Sequence, residues 1–138
     1  MVHTTNYINT FIEVADDCPA VAGQIPPLNV SSPLVATIQF ELISQHPYTL
    51  TSDEIIFCVY AIRNDVAASD YAKVRDEFFS KGQACLRSSP LAKRYGWGFH
   101  FNHVGKVALV GVETADYENC CKDTNLKKVK AMRSKKAK

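Results

Sequence analysis

The sequence predicts an α+β fold: a mostly antiparallel sheet of about four strands, helices packed on one face, and a C-terminal β-hairpin. Three observations lead there. Period-two alternation marks residues 7–14 and 97–102, whereas apolar residues recur every three or four positions between them. The order β-α-β-α-α-β-β-α departs from the strict alternation of a parallel doubly wound sheet. The last two strands are separated only by a four-residue turn, His103-Val104-Gly105-Lys106.

The first strand rests on Ile8, Ile12 and Val14, and Asp16-Asp17-Cys18-Pro19 ends it. An irregular loop with Gly23 and Pro26-Pro27 follows, up to Ser32. Ser32 before Pro33 starts a helix, because the hydroxyl can accept an orphan amide and Pro at the first position wastes no donor. Leu34, Ile38 and Leu42 repeat every fourth residue until His46-Pro47 stops them. Ile38, Phe40 and Leu42 also alternate, but the start and stop signals favour the helix.

The run Ile55-Ile56-Phe57-Cys58-Val59-Tyr60-Ala61-Ile62 is continuous and rich in β-branched residues, which suits a strand covered on both faces. Ser69-Asp70 opens a helix with Tyr71, Val74 and Phe78 on one face, and Gly82 stops it. Ser89-Pro90 starts one or two further turns, ended by Gly96 in the left-handed conformation. Trp97, Phe99 and Phe101 then alternate with Gly98, His100 and Asn102 in a half-buried strand. Residues 107–112 return as the second strand of the hairpin, and Thr114 caps a last short helix through Tyr117.

At 138 residues the chain fits one core. The expected division is a single domain over residues 1–125 and a basic tail over residues 126–138. Charge is segregated. Residues 1–77 carry three cations against ten acids, residues 78–112 five cations and no acid, and residues 122–138 eight cations against Asp123 alone. In the tail, Leu126, Val129 and Met132 repeat at spacing three, which suggests a terminal helix turn docked on the domain. Five cysteines, with Cys120 and Cys121 adjacent, suit no disulfide framework. The opening residues carry no secretory pattern and no apolar run is long enough to span a membrane, so a cytoplasmic protein with reduced thiols is expected.

The chemistry concentrates in "SSPLAKRYGWGFHF", residues 88–101. A helix N-terminus presents unpaired amides and a partial positive charge. Here it would stand beside the hydroxyls of Ser88 and Ser89 and the guanidinium of Arg87, a fork suited to phosphate or carboxylate. Lys93 and Arg94 add charge, and Trp97 between Gly96 and Gly98 offers a wall for stacking. The structural alternative is equally concrete: a capped helix, cations at its negative end, and core aromatics.

Two rival readings stand beside this anion site. Lys93, Arg94 and the basic tail could bind nucleic acid by counterion release, or the tail could fold back on the acidic body. Cys85 and His100 could form a nucleophilic pair, although no family-type signature surrounds Cys85. No metal site is expected, since no C-x-x-C or H-x-x-x-H spacing occurs. Phosphate loops, nucleophile elbows and dinucleotide fingerprints are absent, so no cofactor is expected.

"HTTNYINTFIEVADDCP" near the start, with "CLRSSPLAKRYGWGFHFN" and "KKVKAMRSKKA" later, resembles a family of small uncharacterised proteins. That family is mainly bacterial with some fungal members and is classed as a domain of unknown function. The resemblance implies one domain over nearly the whole chain and supplies no activity or site residues. A second likeness, over residues 53–117, is to the small α+β fold of certain bacterial proteins proposed to bind DNA.

Overall fold

The structure is a computed structural model, which describes residues 3–27 and 34–134. A four-stranded sheet forms its centre: β1 (Thr10–Glu13), β2 (Trp97–Phe101), β3 (Val107–Gly111) and β4 (Lys127–Lys130), in the spatial order β3-β2-β1-β4. β1 pairs antiparallel with β2, and β2 with β3, in the expected hairpin. β1 pairs parallel with β4, so the sheet is mixed. The α+β class and the C-terminal hairpin therefore match the sequence reading.

The fourth strand does not. The apolar run at residues 55–62 is helical, within α2 (Ser52–Arg63). Thr51 caps it: the Thr51 side chain accepts from the Glu54 amide at 3.3 Å, and Glu54 Oε1 accepts from the Thr51 amide at 2.9 Å. This reciprocal pair is a capping box, written in the sequence as Thr51-Ser52-Asp53-Glu54. The run is apolar throughout because α2 packs between α1 (Val35–Gln45) and α3 (Tyr71–Phe78). Ile55 joins the central core, whereas the Phe57 ring meets Tyr71 and Phe78. A helix buried on two sides and a strand buried on two faces leave the same apolar signature.

The missing strand comes from the tail. Residues 127–130 form β4 rather than a helix turn, so the spacing-three pattern misled. The Ser32-Pro33 helix start lies outside the described residues. α1 itself is present and ends at His46, as expected.

Helices cover both faces, which corrects the expectation of one. On one face Ile12, Phe99, Phe101 and Val107 pack with residues of α1, α2 and the short α4 (Pro90–Lys93). On the other, Phe11 and Val110 pack with Leu126 and with Tyr117, Cys120 and Cys121 of α5 (Ala115–Lys122). Alternate residues of a strand point to opposite faces, and β1 puts a fully buried apolar side chain on each. The Phe11 face would be wet without α5.

The "HTTN" stretch is explained by one clamp. Asp53, only 8% exposed, opens α2, and its carboxylate accepts from Thr4 Oγ1 at 2.7 Å, the Thr5 amide at 2.6 Å and Thr5 Oγ1 at 2.7 Å. The Asp53 amide donates back to Asn6 Oδ1 at 2.9 Å. The clamp ties the segment before β1 to the N-terminus of α2. Asp53→Ala removes three hydrogen bonds to a buried carboxylate and strands the Thr5 amide, while the Thr5 hydroxyl keeps Ser52 Oγ at 2.9 Å, so denaturant unfolding is expected to show a loss of about 3 kcal/mol.

Candidate functional site

Ser89 caps α4 as the sequence predicts: its hydroxyl accepts from the Leu91 amide at 3.1 Å, with Pro90 at the first helical position. The same hydroxyl donates to Gln39 Oε1 of α1. The amides of Ala92 and Lys93 donate to the Ser89 carbonyl at 3.2 and 3.1 Å. The anion cradle expected at this helix start is thus filled by the protein's own acceptors, in a helix of only four residues.

Nor do the other expected ligands converge. Arg87 Nε donates to the Lys130 carbonyl at 2.7 Å, and the Met132 amide donates to the Arg87 carbonyl at 2.8 Å. Ser88 Oγ meets Met132 Sδ at 3.2 Å. Arg87 and Ser88 therefore fasten the chain leaving β4. Trp97 Nε1 donates to the Gln24 carbonyl at 2.8 Å, and its ring packs on Phe40 with centroids 5.6 Å apart. Gly23 lies under that ring, so closely that an added Cβ would sit 2.7 Å from Trp97 Cζ2. Lys93 is half-buried and Arg94 is exposed. In the tail, Lys130 reaches Asp16 at 2.9 Å, and Lys128 Nζ donates to the carbonyls of Asp123 and Leu126.

Cys85 and His100 are not a pair. Cys85 Sγ bonds the Tyr7 hydroxyl at 3.2 Å on the α1 side of the sheet, where Tyr7 packs against Phe101. Burial and the Cys85 thiol push the Tyr7 phenol up to about 12, so it stays protonated at neutral pH. His100 lies on the α5 side, in register with Phe11, and its Nδ1 bonds Tyr48 Oη at 2.7 Å. Burial lowers the His100 pKa, with Asp123 pulling weakly the other way. All five cysteines are free thiols.

What the fold does build is a cavity of about 620 Å³ between α1, α2 and residues 83–90. Ile56, Val59 and Phe78 supply apolar wall. Gln39, Arg63, Asn64, Gln83, Cys85 and Ser89 supply the polar groups. Asn64 and Gln83 donate to main-chain carbonyls, at 2.8 and 2.7 Å. Gln39 is only 5% exposed, and among the described residues its Nε2 has no acceptor. Arg63, in the last turn of α2, has no carboxylate partner among the described residues. Sequence reasoning found Cys85, Ser88 and Ser89 on this wall but missed Gln39 and Arg63. The first is one of several polar residues in α1, with Thr37, Glu41, Ser44 and Gln45, and the second reads as an ordinary C-terminal helix cation.

These features define a small α+β domain with a mixed four-stranded sheet and a ligand-sized cavity beside its Ser-Ser-Pro helix start. Among the described residues no helix is long and apolar enough to cross a membrane. The chain belongs to the family of unknown function DUF6157, whose family model matches residues 2–137. No curated protein and no solved structure matches it.

Two outcomes follow from these contacts. Gly23→Ala forces a methyl into the Trp97 ring and is expected to lower stability by about 1–3 kcal/mol in thermal or denaturant unfolding. His100 is expected to titrate below 6.5 in an NMR pH series. Because its folded pKa lies below the unfolded value, its contribution to stability is intact above 6.5. It is lost as pH falls from 6.5 through the folded midpoint.

Proposed function

We propose that this protein binds a small organic anion, carrying a carboxylate or phosphate on an apolar body, in the cavity between α1, α2 and residues 83–90. The Gln39 amide carries the reading. Its Oε1 accepts from the Ser89 hydroxyl, whose oxygen in turn accepts from the Leu91 amide. That leaves an N–H₂ which has no acceptor among the described residues and which faces the open cavity rather than being sealed in the core. An acceptor atom on a guest takes the place of water at this donor, which fixes the guest's orientation more than it adds affinity.

The volume lies inside the range of small-molecule sites, about 300–1,000 Å³. Arg63 supplies the fork for the anionic head. Ile56, Val59 and Phe78 receive the apolar body. The anionic ligand inferred from the Ser-Ser-Pro stretch is thereby moved one layer away. Ser89 holds Gln39 in place instead of gripping the anion itself.

Hexanoate, benzoate and phenyl phosphate, tested at constant ionic strength, distinguish the outcomes. At least one should raise the Tm and shift the amide resonances around Gln39 and Arg63. Arg63→Ala is expected to weaken that binding about tenfold, and Gln39→Leu several-fold. Equal affinity in Arg63→Ala, or no response to any of the three, would sink the reading.

A further inference from the structure

The opposite face of the sheet carries a second groove, of about 600 Å³. Tyr48 and His100 make one wall. Besides the 2.7 Å hydrogen bond, their rings meet edge to face with centroids 5.6 Å apart. Ala108 and Val110 of β3, with Leu126, give it an apolar floor. α5 and the turn after it contribute Asp116, Asn119 and Asp123. Tyr48 is held at φ +56, a left-handed conformation uncommon for a bulky side chain, and its amide donates to the Val107 carbonyl at 3.0 Å. The ring is fixed against the sheet edge rather than free to swing.

The groove is electrically negative inside a chain whose net charge is +2. Neither Asp116 nor Asp123 has an ion-pair partner among the described residues. Asp123 Oδ1 accepts from the Asn125 amide at 2.8 Å, which leaves its second oxygen available. The Lys128 ammonium lies at the end of the groove, donating to the main-chain carbonyls of Asp123 and Leu126 and to neither carboxylate. The groups in the groove register the field. Burial raises the pKa of Tyr48, with Cys120 and then Asp116 adding to it, and burial raises that of Cys120, with Asp116 and Asp123 adding to it.

We propose that this groove is a binding site for a small organic cation, an amine on an apolar body. The ammonium sits between the Asp116 and Asp123 carboxylates, the body lies on Ala108, Val110 and Leu126, and the Tyr48 ring closes the side as a cation–π wall. A carboxylate or phosphate guest is repelled here by both acids. The two cavities lie on opposite faces of the sheet, so this site stands independently of the anion reading.

The test pairs 2-phenylethylammonium with its neutral analogue 2-phenylethanol, each titrated into the full chain and followed by amide NMR. The ammonium should shift the amides of Tyr48, Asn119 and Asp123 and bind at least about tenfold tighter than the alcohol. In a chain with both Asp116→Asn and Asp123→Asn, its affinity should fall to that of the alcohol, with thermal unfolding retained. Equal binding of the two compounds, shifts gathered on Gln39 and Arg63, or no shift from either would overturn the proposal. If the double variant does not fold, the comparison of the two compounds on the unaltered chain decides alone.

Discussion

The burial of β1 on both faces organises every layer of this protein. Its four residues place Phe11 and Ile12, each fully buried, in two separate cores. Burying each such side chain stabilises the fold by roughly 1.5–3 kcal/mol. A strand buried this way needs a neighbour along each edge and a helix over each face. β2 and β4 take the edges. β4 runs parallel to β1, and so to β3, and strands of the same direction cannot be joined by a tight turn. α5 is the crossover that joins β3 to β4, and its route over the reverse face covers Phe11 through the Tyr117 ring. The mixed sheet, the helix on the second face and the groove beside it are one consequence.

Charge segregation along the chain becomes local contact in the fold. The basic end returns to the acidic loop after β1, where Lys130 meets Asp16 and the Ser134 amide donates to Asp17 at 3.2 Å. Both partners of the ion pair are more than half exposed, so it adds little stability. The lysines matter more as occupants of an edge strand. Among the described residues β4 has a strand partner only on its β1 side, and Lys127, Lys128 and Lys130 make the other edge a poor template for a further strand.

The densest motif in the chain turns out to be a junction. Within the fifteen residues 87–101 it caps α4 through Ser89, turns at Gly96 with φ +81, holds the 23–24 loop through Trp97 and fastens the end of β4 through Arg87 and Ser88. The polar groups of Arg87, Ser88, Ser89 and Trp97 are spent on the protein. The vacancy lies behind it, where Ser89 orients Gln39, so the motif shapes the cavity it adjoins.

The hairpin, α1, α3, the Ser89 cap, the Gly96 turn and the α5 cap were all legible in the sequence, because each depends on neighbours within a few residues. The capping box of α2 was equally local, but the unbroken apolar run after Thr51 outweighed it. Periodicity fades once an element is packed on two sides, as α2 is between α1 and α3. The amino-acid order by itself determined the class of fold, the turns and the caps. Tertiary structure alone decided that residues 127–130 are a strand, that Cys85 and His100 face opposite sides, and that Gln39 lines a cavity. Each of those rests on partners 30 or more residues away in the chain, and no local pattern encodes a contact at that separation.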